Sequence, residues 1–557
     1  MNQSPDDWNG ANRRSRGNDR NAADPTQQRE IRNGVKIRIN GLERGDDPLV
    51  VSRDAALMPG LLTAGFAQRV RGIRSAELPA GALLTFHRRG LDAGSKIETD
   101  LPDEAGSAYP SPKGPFSRVK RPLPADQIAY AEVRPLAHPL GEALAANEDI
   151  FEDLNERGKL GFGHPEKGLI QTDVMISATC LDGQWTDIDV VPYSELSVPP
   201  NMQALHYGGA FFEGMTAEWG EDGKCYVFGL EQHWNRMMKS ARTLGTKFVP
   251  FEVFEEAILK VCQQNARFIP QNGRLYLRPH GADVGKQMRV GNSRIAGFFV
   301  EVTPIGSAES YFGDIERDPD GNVKGKGLGV PTTQVRSGKG LPGNSKGVQN
   351  YGPTPVVIRT VCSLNVGTDE APHRPVGVLY VDRVTDGLGD DAMLDAEVRE
   401  TNASNTIFFE DLGDGRYLVI TPSLEDGDIL PGNTRALILE KARDRGWEVE
   451  ERRVTLREIA SGKFVAAGNC GTAAVFSPFD WIHFAKIQPG SKPEDKWTGE
   501  LVGKKIDIRS QDAINQEPIP TPVRLLMEDV LAVKSAKNPS DTTRYLTEIP
   551  GIKLKAA

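Results

Sequence analysis

From about residue 170 onward the chain switches repeatedly between two hydrophobic periods, and that switching confines it to a fold mixing helices and sheets. "VMISATCL" and "QWTDIDVV" read as strands around Asp182-Gly183, a dipeptide suited to a two-residue hairpin turn. "EQHWNRMMKSARTLG" repeats at helical spacing instead. Trp234, Met237, Met238, Ala241 and Leu244 share one face, and Gly245 stops the helix. "FEVFEEAILKVCQQNARF" is a second amphipathic helix, and "GRLYLRPHG" and "RIAGFFVEVTP" are strands again.

After the polar, glycine-rich "SAESYFGDIERDPDGNVKGKG" come strands in "VGVLYVD", "NTIFFEDL" and "RYLVITP". The helix "NTRALILEKARDRG" follows, with Asn433 or Thr434 expected as its cap and Gly446 as its stop. "WEVEERRV" is a strand and "TPVRLLMEDVLAVKSA" a last helix. The expected organisation is an α+β chain with a small α/β domain over 170–308, a connecting loop over 309–328 and a large domain over 329–557. Residues 1–150 begin with a stretch that has almost nothing to bury, "NQSPDDWNGANRRSRGNDRNAADPTQQRE", and form an extension expected to be largely disordered.

Composition removes several classes. A net charge of −9 gives no footing for nucleic acid. No apolar run approaches the roughly 18 residues a membrane span needs, and the N-terminus lacks the apolar centre of a secretory signal. The 5 cysteines are widely spaced, with neither zinc-ligand nor disulfide-framework spacing, which fits reduced thiols in a cytoplasm. "SGKG" at 337–340 is not a phosphate-binding P-loop, and no His-x-x-x-His pair is present. A metal centre has no support.

What remains is a series of short turn-rich patches: "LHYGGAFFEGM" at 205–215, Arg236 in "HWNRMMKSA", Tyr276 and Arg278 in "LYLRPHG", Lys346 ahead of Asn350-Tyr351 in "GNSKGVQNYGPTP", Glu400 ahead of Asn405, "LPGNTR" at 430–435, and "NCGTAAV" at 469–475. Singly, each is ordinary: a solvated arginine, a loop carboxylate, a turn. In this order the series resembles the fold-type IV pyridoxal-phosphate enzymes, most closely the branched-chain amino acid aminotransferases, over roughly 170–540.

The resemblance implies pyridoxal 5'-phosphate as cofactor, with Lys346 as the amine that joins its aldehyde and moves the substrate proton. It implies Glu400 opposite the ring nitrogen, steadied by Asn405, and Tyr351 at the phenolic oxygen. Arg236, Asn433, Thr434 and Thr472 would hold the phosphate. Tyr207, Phe212 and Gly214 would form an apolar substrate wall shared across a homodimer, and Tyr311 would close it. Arg278 would read the side-chain carboxylate of glutamate, and the backbone at Thr472 and Ala473 the α-carboxylate.

The implied activity is amino-group exchange between leucine, isoleucine or valine and 2-oxoglutarate. Alternatives of the same fold are a D-amino-acid transaminase and an aminodeoxychorismate lyase; a non-catalytic ligand-binding descendant is a third. Val348-Gln349 stands where the family usually has two glycines, so a family backbone with positive φ there would strain this chain.

Overall fold

The computed structural model describes residues 172–193, 199–270, 273–307, 315–338, 340–369, 371–492, 495–538, 540 and 544–553, together with strands at 48–52, 82–88 and 128–135. Those three strands, Pro48–Ser52, Ala82–Arg88 and Ile128–Pro135, pair antiparallel in a sheet of their own, with Val50 opposite Thr85 and Phe86 opposite Ala131. The remainder of the extension lies outside the described residues. Among the described residues, no helix is long and apolar enough to cross a membrane.

The rest forms a separate compact unit built on two sheets. The first is antiparallel throughout, and its main path runs Leu546–Lys553, Lys224–Phe228, Met215–Trp219, Arg274–Asp283, Ile295–Ile305, Val174–Leu181 and Gln184–Trp185. Asp182 and Gly183 take φ of 52° and 92°, the left-handed pair that the hairpin dipeptide predicts. The first strand in this order is the last of the chain: residues beyond 545 return to cover an edge that Lys224–Phe228 would otherwise leave open.

Strand alternation then sorts the side chains. On Arg274–Asp283, Leu275 and Leu277 enter a core with Val300, Val302, Met237, Ala241, Phe254, Ile258 and Val261, beneath the helices Leu230–Leu244 and Phe251–Gln264. The opposite face of the same strand therefore presents Arg274, Tyr276, Arg278 and His280 in a row.

The second sheet mixes directions. Gly327–Pro331 runs parallel to both Gly377–Val381 and Trp481–Gln488, while Val398–Thr401 and Asn405–Gly413 are antiparallel neighbours joined by a tight turn. The hairpin Ala466–Gly471/Val475–Pro478 is attached through Asn405–Gly413. Over it pack the helices Asn433–Asp444 and Thr521–Lys534 through Leu437, Ile438, Leu526 and Val530. The first of these starts one residue earlier than the expected cap: Gly432 is the N-cap and no side chain caps it, while Gly446 ends it at φ 75° as predicted. Neither Asn433 nor Thr434 is the cap, because both already have a place within the first turn.

Candidate active site

Lys346 is held firmly by its backbone and only lightly at its tip. Its amide donates to Ser240 Oγ at 2.9 Å, whose hydroxyl donates to the Arg236 carbonyl at 3.1 Å. Its carbonyl accepts the Phe212 amide at 3.1 Å, and Phe211 bridges Gly347. Asn350 ties the loop together by donating to the carbonyls of Pro342 and Ser345 at 2.8 and 2.9 Å. The loop thus sits against both the helix Leu230–Leu244 and the strand Ala210–Phe212. Its Nζ lies 3.2 Å from the Tyr351 hydroxyl and 4.6 Å from the centre of the Phe212 ring.

The loop must pass unusually close to its neighbour at Gly343, where a Cβ would fall 2.2 Å from the Asp428 carbonyl oxygen and 2.6 Å from Ser337 Oγ. Gly343→Ala is expected to cost about 1–3 kcal/mol, read as a lower urea midpoint, because backbone rather than a flexible side chain blocks the methyl. The positive φ that would strain Val348-Gln349 is absent. Val348–Asn350 forms a single 3₁₀ turn entered from Gly347 at φ −79°, and positive φ occurs at neither residue. A valine fits that turn as well as a glycine does.

Glu400 and Asn405 are direct cross-strand partners. Asn405 Nδ2 donates to the Leu430 carbonyl at 2.9 Å and reaches Glu400 Oε2 at 3.4 Å, while the Leu430 amide donates to Glu400 Oε1 at 3.1 Å. Gly432 is needed beside them, since a Cβ there would stand 2.1 Å from Asn405 Oδ1. The sequence reading missed Arg336, whose guanidinium pairs with Glu400 out of water. Burial raises the Glu400 carboxyl, Arg336, the Leu430 amide and Lys346 oppose it, and the balance leaves it pushed up to about 7.

A folded-state acid raised above its unfolded value of 4.5 binds its proton more tightly when folded, so this group withdraws stability as pH rises from about 4.5 to about 7. The expected size is about 3 kcal/mol in the cofactor-free protein. Urea unfolding at pH 5 and pH 8, wild type against Glu400→Gln, checks it: the variant should lack that slope.

Arg236 is buried rather than solvated. Its Nε and Nη2 donate to Glu213 Oε1 and Oε2 at 2.8 and 2.6 Å, and Nη1 donates to the Pro431 carbonyl at 3.0 Å. His233 Nδ1 lies 2.8 Å from the same carboxylate, completing a group that sequence reasoning did not assemble. Burial would raise Glu213, but the charge and hydrogen bonds of Arg236, aided by His233, hold it far below the usual carboxylate range. Pro431 leads into the helix at Gly432, so the arginine stands beside that helix's N-terminus. There the buried Asn433 Nδ2 has no acceptor among the described residues. Thr472 joins the group by donating to the Gly214 carbonyl at 3.1 Å.

On the other side, Arg278 lies over Phe212 and Tyr276, 4.7 and 5.2 Å from their ring centres, and donates to the Tyr276 hydroxyl at 2.9 Å. Phe212 and Tyr351 pack with ring centres 4.9 Å apart. Gly214 leaves room for Tyr276, whose hydroxyl would be 2.2 Å from a Cβ there. Tyr207 is not in this group: it is 40% exposed and donates to the Met288 carbonyl at 2.7 Å. Tyr311 lies outside the described residues.

The geometry therefore gathers an amine bonded only to a tyrosine hydroxyl among the described residues, a buried carboxylate, and a braced arginine next to a helix start. The model for amino-transferase class IV matches residues 388–476, which contain Glu400, Asn405, the 430–435 turn and Thr472. Over 367 residues the chain is 31% identical to a probable branched-chain-amino-acid aminotransferase of Streptomyces coelicolor, covering 64% of this chain and 88% of that one. The chain belongs to the branched-chain aminotransferase family. It is 28% identical to the enzyme of Mycolicibacterium smegmatis, over 62% of this chain and 87% of that one. Among solved structures it resembles the branched-chain aminotransferase of Thermoproteus uzoniensis at 20% identity and a TM-score of 0.44, covering 67% of this chain and 99% of that one. For the enzyme of Thermobaculum terrenum the values are 18%, 0.46, 68% and 99%. As a branched-chain aminotransferase family member the chain is an enzyme, and Arg336, Glu213, His233 and Ser240 join the residues its motifs named.

Proposed function

We propose that the chain uses pyridoxal 5'-phosphate to move an amino group between leucine, isoleucine or valine and 2-oxoglutarate. The observation that carries this reading is the joint placement of Lys346 Nζ beside Tyr351 and of Glu400 within the same charge neighbourhood. Two features support the fit of the cofactor. The unpartnered Asn433 Nδ2 sits at a helix start beside Arg236, where a phosphate finds donors and a favourable dipole. Glu400, poised near neutrality, gains a reason to ionise when a ring cation faces it.

When bound, the cofactor supplies an aldehyde for amine exchange and a ring that withdraws electrons from the reacting carbon. Arg236, the amides opening the helix Asn433–Asp444, and Thr472 hold the phosphate. Glu400 holds a proton at the ring nitrogen, while Arg336, Asn405 and the Leu430 amide keep its carboxylate from turning away. Lys346 would take the proton from the substrate's Cα, and its anchored backbone limits the swing of its amine to that neighbourhood. Phe212 and Tyr351 exclude water and receive aliphatic side chains, and Arg278 at their edge receives the second carboxylate of glutamate.

The assembly proposed is a homodimer. Leu205, Tyr207, Met288 and Val290 are all exposed, two of them on the 286–292 loop and one hydrogen-bonded to it, an apolar patch that a second copy would cover. The compartment proposed is the cytoplasm, supported by five cysteines that are all free. The test is an assay of glutamate formed from 2-oxoglutarate with each L-amino acid. L-Leucine, L-isoleucine or L-valine is expected to be the best donor. Turnover of D-alanine, or of aminodeoxychorismate, with none of L-leucine would overturn the assignment.

A further inference from the structure

The polar row on Arg274–Asp283 holds one arginine that the motifs leave unassigned. Arg274 is 2% exposed, and its fork is spent on backbone. Nη1 donates to the Thr472 carbonyl at 3.2 Å, Nη2 to the Ala473 carbonyl at 2.7 Å, and Nε to the Gly306 carbonyl at 3.2 Å. Across the sheet it stands opposite Glu218, which accepts from Lys534 Nζ at 2.7 Å and Thr216 Oγ1 at 2.7 Å. Lys534 Nζ donates to Thr216 Oγ1 as well, at 3.0 Å, so the end of the helix Thr521–Lys534 braces the same cluster.

Peptide planarity gives this contact a directional consequence. In a trans peptide the N–H points opposite to the C=O of the same unit. The carbonyls of Thr472 and Ala473 belong to the peptide units whose amides are those of Ala473 and Ala474. With both carbonyls drawn to one guanidinium, the two consecutive amides face away from it together, and among the described residues neither meets an acceptor. Paired amides of that kind suit a carboxylate, and a cation on the carbonyl side polarises them further. The same turn is held from a second direction by Thr472 Oγ1 on the Gly214 carbonyl, two residues from the Phe212 ring that lies under Lys346 Nζ.

We propose that Arg274 is a positioning residue: it orients the Ala473 and Ala474 amides as the cradle for the α-carboxylate common to every substrate, a role that rests on the site reading given above. It touches no reacting atom. Ala474 joins the carboxylate site, and Glu218 with Lys534 keeps the guanidinium in register.

The experiment uses the full chain loaded with pyridoxal phosphate and two probes of the same aliphatic shape, 4-methylpentanoate with a carboxylate and 3-methylbutylamine without one. Arg274→Lys keeps the cation beside Glu218 but loses the fork; it is expected to weaken 4-methylpentanoate about 10-fold, and Arg274→Met about 100-fold. The affinity for 3-methylbutylamine should stay within about twofold in both, as for any ligand that does not use the cradle. KM for L-leucine and for 2-oxoglutarate should rise together while kcat changes by less than about threefold. Should Arg274→Met fail to fold, Arg274→Lys alone decides. Unchanged carboxylate affinity in Arg274→Lys overturns the proposal, and so does equal loss of both probes, which would mark a merely structural brace. Wild-type protein that takes up no pyridoxal phosphate overturns the reading of the site and the role of Arg274 with it; normal uptake with unaltered variants overturns the role alone.

Discussion

Lys346→Ala is expected to lower the transamination rate by at least about 10⁴-fold while leaving the fold intact. The two halves of this expectation have separate origins in the structure. The lysine's backbone carries the anchoring: Ser240 receives its amide, Phe212 gives an amide to its carbonyl, and Asn350 binds the loop on either side. Alanine keeps every one of those bonds. The side chain contributes one hydrogen bond to Tyr351 and a position over Phe212, and among the described residues Nζ has no carboxylate within ion-pair distance. Removing it should therefore shift stability by no more than about 1 kcal/mol. The readouts are urea unfolding and the visible absorbance of protein-bound cofactor, with and without borohydride. Alanine should lose the lysine-linked band, and Lys346→Arg should lose it too, because a guanidinium keeps the charge but not the nucleophile. A variant that keeps the borohydride-trapped band would remove Lys346 from its role.

Glu213→Ala carries the largest expected effect on stability, a loss of about 3–5 kcal/mol. Glu213 is fully buried, and two of its contacts are the paired bonds that hold Arg236. Without the carboxylate the arginine remains buried with only the Pro431 carbonyl, and an uncompensated interior charge is among the costliest single defects. Glu213→Gln keeps the shape and some acceptors and should lose less. The pH dependence is distinct from that of Glu400. Arg236 and His233 depress the folded Glu213 below its unfolded value of 4.5, so its stabilisation is complete above that value and drains away as pH falls. Acid unfolding of the wild type should therefore steepen below about pH 4.5, a limb that the alanine variant lacks.

These groups were unequally legible in the sequence. Hairpin, helix stops and the succession of strands along the chain followed from local chemistry: Asp182-Gly183 between two strands suits left-handed φ, and the stripe of Met237, Met238 and Ala241 needs a core. The family motifs named Lys346, Glu400 and Arg236. They did not name Glu213, His233 or Arg336, because such partners are chosen by packing between segments distant in the chain. Glu213 sits inside a motif read for its phenylalanine and glycine, yet its charge is what keeps Arg236 buried. Arg336 is 64 residues from Glu400 and falls in a loop with no periodicity of its own. Arg274 had one readable signal, its place in phase with Tyr276 and Arg278 on one strand, but the carbonyls it grips are nearly 200 positions away. At Val348-Gln349 the sequence left the backbone open, and the structure answers it with negative φ at both residues.

The pairing of Leu546–Lys553 with Lys224–Phe228 sets an order for biosynthesis. A nascent chain cannot finish this sheet until residues 546–553 have been translated and have cleared the ribosome. Until then an unpaired backbone edge stays open on the half of the molecule that supplies Phe212 and Arg236. Termination just before residue 546 would leave every motif residue translated and still yield a sheet one strand short.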